Sequence, residues 1–501
     1  MTRTPGLRAW AALAVLTLAV TLLAIDSTVL ALAIPSLSAD LSPTASQLLW
    51  IGDIYSFTLA GLLVTMGNVA DRIGRRRLLL IGTLGFGVAS IMAAFAPSAG
   101  TLIATRALLG IGGATIMPST LSLIRNIFPG ARHRTTAIAI WSAGSSGGTA
   151  LGPLVGGVLL EHFWWGSVFL INVLVMAAVI VSGLWLLPES KNAQGAPVDL
   201  ASAVLSVLAI VPITYAVKSF AHDGLTVIAV AALAGGLAAG WLFIRRQRTL
   251  ATPLIDVELF RRPAFTWAIA TSVLAIFALA GLLYFFSQYL QLVRGYSTLR
   301  AGLTEVPASL ASIVVVAVVA AVVRRLGNGR ALGSGLLIAA VGLVVVALGE
   351  SYDGIVVICV GLLIIGAGIG LAFTVSTGAV LGSVPADRAG AASAISETGF
   401  ELGVALGIAV LGTTQDVGYR LMLGPALSGL PSRVVDAAEQ SLATLSGVID
   451  PTDTAQAQLM AHAQTAFIHA MQVTAVIAAA ILLVAGVMAA RHVPATSEET
   501  S

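Results

Sequence analysis

Long apolar runs, separated by short polar segments, dominate the pattern along this chain. Runs of about 20 residues with few charges, the length that an α-helix needs to cross a bilayer, follow one another fourteen times. An even number of crossings places both ends of the chain on one side. The pattern therefore predicts an all-α integral membrane protein with fourteen spans. Twelve or thirteen spans would require a glycine-rich segment to lie buried without crossing.

Composition and charge agree with a membrane protein and give it an orientation. The sequence is 57% hydrophobic and only 10% charged, whereas about a quarter of a soluble protein's residues are charged. Of the 26 lysines and arginines, twenty fall in the loops on the side of the N-terminus, five fall in the opposite loops, and Arg106 lies inside a span. Basic loops stay in the cytoplasm, so both termini are expected there. Because the arginines are scattered over many loops, they do not indicate nucleic-acid binding.

A faint internal repeat suggests how the spans are organised. Arg72-Ile73-Gly74 and Arg325-Leu326-Gly327 each precede spans of similar character, 253 residues apart. Two related bundles that rock against each other are a common transporter design. We therefore predict a six-helix bundle at 1–190, two inserted transmembrane helices at 191–259 and a second six-helix bundle at 260–501.

One long connection is expected on the extracellular side of the second bundle. It covers about residues 413–465, and residues 432–446 within it have amphipathic spacing. This segment forms either a hairpin or lid over the outer mouth or a surface insertion without function.

Ionisable side chains at membrane depth are costly and therefore point to function. Six lie within or at the edge of spans: Asp26, Asp53, Arg106, Glu305, Glu397 and Glu401. The last two are four residues apart and share a helix face. A carboxylate in a partly dry cavity holds a proton near neutral pH and releases it when a cation arrives, so these residues predict proton coupling and substrate binding. The alternatives are a buried ion pair with Arg106 and, for Glu305, simple contact with water at the span edge.

An aromatic and amide cluster is the second candidate for substrate binding. Tyr284, Phe285, Phe286, Gln288 and Gln291 are positioned either to line a pocket for planar cations, which aromatic faces attract, or to pack helices. The sequence has no metal-ligand spacing, no nucleophile with a base and no phosphate loop. We therefore expect neither an enzyme nor a metal or cofactor site.

The loop between the second and third spans resembles a known signature. Residues 67–77, GNVADRIGRRR, are similar to the signature loop of the major facilitator superfamily. The resemblance implies a cytoplasmic gate made by Gly67, Asp71, Arg72, Gly74, Arg75 and Arg76. In such a gate, Asp71 pairs with basic groups or a helix N-terminus and holds one state closed.

Two further motifs narrow this resemblance. Residues 102–113, which contain Arg106 and Gly110, are similar to the fourth-helix motif that the family uses in proton coupling. Residues 148–157 resemble the fifth-helix signature of drug:proton antiporters, through Gly148, Gly152, Pro153, Gly156 and Gly157. Physically, the glycines form a smooth face for close helix packing and the proline bends it.

Residues 25–35 resemble the first-helix motif of the fourteen-helix antiporter branch, and the similarity extends over essentially the whole chain. It implies a monomeric multidrug efflux antiporter in the bacterial inner membrane, embedded in lipid. The implied substrates are lipophilic cations such as dyes and quaternary ammonium biocides, together with fluoroquinolones, and the proton gradient drives their export without a cofactor. The alternative is a proton-coupled transporter of one metabolite on the same fold. Several carboxylates around a single intramembrane arginine favour cation export.

Overall fold

The structure, a computed structural model, describes residues 6–190, 199–222, 226–250, 253, 255, 257–352, 354–382, 389–424, 427, 431–450 and 453–493. All regular secondary structure in these residues is helical. The α-helices are α1 Leu7–Leu41, α2 Ala45–Ile73, α3 Arg75–Ala94, α4 Ala99–Ile127, α5 Ala131–His162, α6 Ser167–Leu186, α7 Leu200–His222, α8 Val227–Gln247, α9 Pro263–Gln288, α10 Thr298–Gly349, α11 Val356–Gly382, α12 Ala389–Leu423, α13 Ser432–Gln440, α14 Leu442–Val448 and α15 Thr454–His492.

Eleven helical segments in the described residues are long and apolar enough to cross a membrane. A helix satisfies its own backbone hydrogen bonds, which lipid cannot do, and this explains why such apolar sequences form helices. Only 17% of the apolar window of α8 is buried inside the protein, so most of this helix faces lipid. The prediction of an all-α membrane protein is confirmed.

The buried apolar side chains form two clusters. One cluster belongs mainly to α1–α6, which we call the N-terminal half, and the other to α9–α15, which we call the C-terminal half. Tyr284 and Ile408 of the C-terminal half pack into the first cluster. Helices α7 and α8 pack on each other, and α7 also contacts α2 and α12. The Ser206 hydroxyl of α7 donates to the Gly61 carbonyl of α2 at 2.9 Å.

Two glycines of the sequence repeat break helices in the same way. Gly74 separates α2 from α3 with a φ of +114°, and Gly327 interrupts α10 with a φ of +76°. Positive φ is costly for any residue with a Cβ. At Gly74 an added Cβ would also lie 2.6 Å from a carboxylate oxygen of Glu189. The repeat thus marks two equivalent helix breaks.

The long connection is shorter than the sequence suggested. Helix α12 continues to Leu423 and α15 begins at Thr454. The predicted loop boundaries, 413 and 465, are therefore wrong, because the polar residues at both ends of that range lie inside helices. Between them, α13 and α14 form the cap helices, with Val434 and Ala438 of α13 buried. We call this end of the bundle the cap end, and the end that carries Arg75–Arg77 the arginine end.

Candidate functional site

A buried ion pair lies at the centre of the N-terminal half. Arg106 Nη1 of α4 is 3.2 Å from Asp26 Oδ2 of α1, and both side chains are at most 1% exposed. Arg106 Nε also donates to the Ile51 carbonyl of α2 at 3.2 Å. Its guanidinium carbon lies 4.9 Å from the centre of the Tyr55 ring. Arg106 therefore joins three helices. Its ion pair with Asp26 is the alternative that the sequence left open.

Three uncharged residues complete this arrangement, and the sequence did not single them out. The Asn172 amide donates to Asp26 Oδ1 at 2.6 Å and to the Ser90 hydroxyl at 3.2 Å. Tyr55 lies within electrostatic range of Asp26, Arg106 and Glu401. A lone Asn or Tyr in an apolar run carries no sequence signal of its own, because its partner lies on another helix.

The carboxylates of the C-terminal half have a different environment. Glu401 of α12 lies close to Ser56 of α2 and to Glu397, one turn earlier on the same helix. Glu305 of α10 is 8% exposed, and its Oε1 has no hydrogen-bond partner among the described residues. Among the residues that the structure describes, no lysine or arginine forms an ion pair with Glu305, Glu397 or Glu401. We call Asp26, Tyr55, Arg106, Asn172 and Glu401 the central polar network.

Asp53 and the predicted aromatic cluster lie nearer the cap end. Asp53 is fully buried on α2 and interacts electrostatically with Tyr284 of α9. Tyr284, Phe285 and Gln288 line a small cavity. Phe286 lies outside its lining, because it stacks on Tyr289 in the core of the C-terminal half. Gln291 is also outside it, because its amide donates to the Leu32 carbonyl at 3.1 Å.

Hydrogen bonds join the two halves near the cap end. The Tyr284 hydroxyl donates to the Leu48 carbonyl at 2.5 Å, and Gln291 reaches Leu32 of α1. The Leu299 backbone amide donates to a carboxylate oxygen of Glu161 at 3.4 Å. These contacts fasten the halves at one end of the bundle.

The predicted gate loop docks on the N-terminal half itself. The backbone amide of Arg75 donates to the Ser190 carbonyl at 2.9 Å, and its guanidinium donates to the Ser190 hydroxyl at 3.2 Å. Arg76 donates to the Leu184 carbonyl at 2.5 Å. Gly67 faces Pro118 of α4, and Arg72 is exposed. The side chain of Asp71 lies outside the described residues, so its role stays a prediction.

The glycine motif of α5 forms a close seam with α1. A Cβ added at Gly148 would lie 2.4 Å from the Thr21 carbonyl oxygen, and one at Gly152 would lie 1.8 Å from the Thr28 hydroxyl. Gly156 is equally tight against Val29. These positions require glycine because any side chain would push the helices apart.

The remaining motif residues face the C-terminal half. A Cβ at Gly157 would lie 2.8 Å from the Leu299 Cα, and the Pro153 carbonyl lies against Gly302 of α10. Helix α5 therefore lies between α1 of the N-terminal half and α10 of the C-terminal half. Any movement of one half relative to the other changes its contacts with α10. Among the described residues, no three potential metal ligands cluster.

Comparison with known proteins identifies the family. The family model described as Major Facilitator Superfamily matches residues 16–408. The chain is 47% identical to the multidrug efflux pump LfrA of Mycolicibacterium smegmatis, over 97% of this chain and 96% of that protein. It is 39% identical to the methyl viologen resistance protein SmvA of Salmonella typhimurium, over 81% and 82% of the two chains.

A solved structure supports the same fold. A bacterial homologue of the human lysosomal transporter Spinster, described as inward-facing and unoccupied, aligns with a TM-score of 0.68 at 18% identity and covers 97% of this chain and 98% of that one. The described helices and these matches agree on a multi-pass membrane transporter, not an enzyme. The chain belongs to the Major Facilitator Superfamily.

Proposed function

We propose that this protein exports lipophilic organic cations in exchange for protons across a bacterial inner membrane, acting as a monomer. The full-length relative named as a multidrug efflux pump supports export of varied compounds. The relative named for resistance to methyl viologen, an organic dication, supports cations as the substrate class.

The position of Glu401 carries the proposal. This carboxylate of the C-terminal half lies close to Ser56 of the N-terminal half, near Tyr55 and the Asp26–Arg106 pair. It lies where the halves meet, and no basic residue of the described chain forms an ion pair with it. A buried carboxylate without a cation is stable when protonated or when a cationic ligand takes the proton's place. Such competition is the chemistry of exchange.

We assign the two kinds of buried charge to different tasks. Glu401 and Glu397 bind the proton or the cation. Asp26 is held by Arg106 and Asn172, so its charge is matched inside the N-terminal half. It couples the occupancy of Glu401 to helix position through Tyr55, which lies near both carboxylates.

The hydrogen bonds between the two halves suggest how the protein alternates access to the two sides of the membrane. The hydrogen bonds between Tyr284 and Leu48 and between Gln291 and Leu32 close the cap end. Substrate would therefore enter from the arginine end, and rocking of the halves would open the cap end. The basic loops at the arginine end support a cytoplasmic position for that end.

Fourteen crossings fit this orientation. Besides the eleven apolar segments, α2, α5 and α7 have 29, 32 and 23 residues and are long enough to span. An even count returns both ends of the chain to the arginine end.

Ethidium transport in inverted membrane vesicles with an acidic interior tests the proposal. We expect the wild type to accumulate dye until an ionophore collapses the pH gradient. Glu401→Gln and Asp26→Asn should abolish this uptake, because each removes a central carboxylate. Glu439→Gln, an exposed glutamate of the cap helices, is the matched control and should transport normally.

Two results would contradict the proposal. If the wild type moves no cation from a varied panel and no cation dissipates the gradient, the protein is not a cation antiporter, and a transporter of a single metabolite becomes the better assignment. If dye moves equally well without a pH gradient, transport occurs but proton exchange does not drive it.

A further inference from the structure

The small cavity lined by Tyr284, Phe285 and Gln288 lies beneath the cap helices, apart from the central polar network. Leu48 of α2 contributes one wall, and α9, α12 and α15 contribute the others. The junction between α13 and α14, at Ser441, closes it from above. Both halves and the cap helices thus share one enclosure.

Aromatic side chains form a continuous arc around this cavity. The ring centres of Tyr284 and Phe285 are 5.0 Å apart, and those of Phe285 and Phe467 are 6.4 Å apart. Tyr419 meets Phe467 edge to face at 6.4 Å. All four rings line the cavity. Aromatic faces attract organic cations, most strongly where water is excluded.

A carboxylate completes the chemistry expected for a cation site. Asp416 lines the cavity, and its Oδ2 is 3.5 Å from Nε of Arg420, one turn along α12. The Arg420 side chain is 35% exposed and that of Asp416 is 9% exposed. Arg420 can therefore turn toward water, and an incoming cation would then take its place beside Asp416.

The Tyr419 hydroxyl is an independent indication that the cavity receives a ligand. Tyr419 is 3% exposed, and within the described residues its hydroxyl has no hydrogen-bond partner. A buried hydroxyl without a partner is costly. The cost is recovered when a ligand or water in the cavity accepts or donates a hydrogen bond.

We propose that this cavity is an outer binding site, where the exported organic cation stops after it leaves the central polar network and before it is released past the cap helices. The proposal rests on the proposed function for the identity of its ligand. The arc of Tyr284, Phe285, Tyr419 and Phe467 holds the planar body, and Asp416 holds the charge.

The present volume indicates when the site fills. The cavity measures about 30 Å³, whereas a drug-sized ligand needs roughly 300 Å³ or more. The cap helices must therefore lift as the cation arrives. Gly447 of α14 lies beside Ala39 of α1, where a Cβ added to the glycine would be 3.6 Å from the Ala39 Cα. Separation of the halves at the cap end would pull this contact apart and enlarge the cavity.

Cysteine protection tests the site directly. Cys359 is the only cysteine in the sequence, so Cys359→Ser with Ser441→Cys places a single thiol at the roof of the cavity. In nanodiscs, where both faces of the protein are accessible, ethidium should slow the reaction of this thiol with a water-soluble maleimide. Adding Asp416→Asn should raise the ethidium concentration needed for protection by roughly tenfold, or about 1.4 kcal/mol. Asp436→Asn, the same change at an exposed position on α13, should not.

Ethidium fluorescence, which rises in an apolar site, makes the same comparison without the cysteine. The outer site is wrong if vesicles transport ethidium while the thiol is never protected, or if Asp416→Asn and Asp436→Asn shift binding equally. Protection that depends on Asp416 in a protein that transports nothing would leave the site standing and count against the proposed function alone.

Discussion

Asp26 in the N-terminal half and the three intramembrane glutamates of the C-terminal half are buried in opposite ways. In the N-terminal half, Asp26 is paired with Arg106 at 3.2 Å and accepts a hydrogen bond from Asn172 at 2.6 Å. In the C-terminal half, Glu305, Glu397 and Glu401 form no ion pair with a lysine or arginine of the described chain. Both halves nevertheless use glycine seams, at Gly148 and Gly152 in one and at Gly403 and Gly407 in the other. The halves are therefore alike in packing and differ in charge.

This difference separates a fixed element from an exchangeable one. A buried charge with its partner in place is matched and has no need of a ligand. A buried carboxylate without a basic partner must carry a proton or a visiting cation. The comparison assigns structural and coupling roles to the paired charges and exchange to the unpaired ones. Substitutions of the paired and of the unpaired charges test this assignment.

Removing Arg106 should have the largest effect on stability. Arg106→Ala leaves Asp26 buried without its cation, and breaking such a pair costs about 3–5 kcal/mol. We expect a large fall in the thermal denaturation temperature of the purified protein in detergent. The double variant Asp26→Asn with Arg106→Gln should recover much of this loss but not transport. Arg245→Ala, an exposed arginine at the end of α8, is the control, and equal losses in Arg106→Ala and Arg245→Ala would show that the buried pair is not a fixed element.

The glycine seams should respond alike in both halves. A Cβ at Gly148 would lie 2.4 Å from the Thr21 carbonyl oxygen, and one at Gly407 would lie 2.2 Å from that of Phe277. Because backbone cannot move aside cheaply, we expect each Gly→Ala change to cost about 1–3 kcal/mol. Gly147→Ala, where nothing lies within 4 Å, should be neutral or slightly stabilising. A loss confined to Gly148→Ala would mean that the halves differ in packing as well as in charge.

Glu305→Gln should separate stability from transport. Its Oε1 has no hydrogen-bond partner among the described residues, so an amide of the same shape should change the free energy of unfolding by no more than about 0.5 kcal/mol. Transport should become slower and less dependent on pH, because an amide does not titrate while Glu397 and Glu401 still do. The measurements are thermal denaturation and initial rates of ethidium uptake across a pH series. Normal pH-dependent uptake would remove Glu305 from the exchange site.

The sequence predicts the helices well because lipid leaves the backbone few choices. The pattern fails where polar residues lie inside helices. It places Gln415, Asp416 and Tyr419 in a loop, yet they are buried on α12 and line the cavity under the cap helices. Polarity alone cannot distinguish a solvent-exposed loop from a polar face that meets a cavity.

Contacts between distant helices are the other part that the sequence cannot supply. Asn172 and Asp26 are 146 residues apart, and nothing in either local pattern points to the other. A charged residue within an apolar span is unusual and can be recognised from sequence. For this reason the sequence identifies Asp26, Arg106 and Glu401 but not Asn172. The sequence does offer a buried ion pair as an alternative to proton coupling, because Arg106 is the one cation within a span.

Breaking an ion pair at the surface should have the smallest effect on stability, and it provides a reference for the buried pair of Asp26 and Arg106. Arg246, in the last turn of α8, donates to both carboxylate oxygens of Asp199, which precedes α7, at 3.0 and 2.9 Å. These hydrogen bonds, with others from Ser202, lower the pKa of Asp199 to about 2. The lowered pKa means that the pair stabilises the fold fully above the unfolded value, near 3.8, and loses this contribution as pH falls toward 2.

We therefore expect Asp199→Asn to lower the denaturation temperature slightly at pH 6 and to match the wild type near pH 2. The Arg246 side chain is 40% exposed, so added salt should shrink the difference further. Asp436→Asn, exposed on α13, is the control and should show no such pH dependence. The loss in Arg106→Ala should resist salt, because water and ions do not reach that pair. If both losses respond to salt equally, Asp26 and Arg106 are hydrated, and their pairing cannot be what distinguishes the N-terminal half.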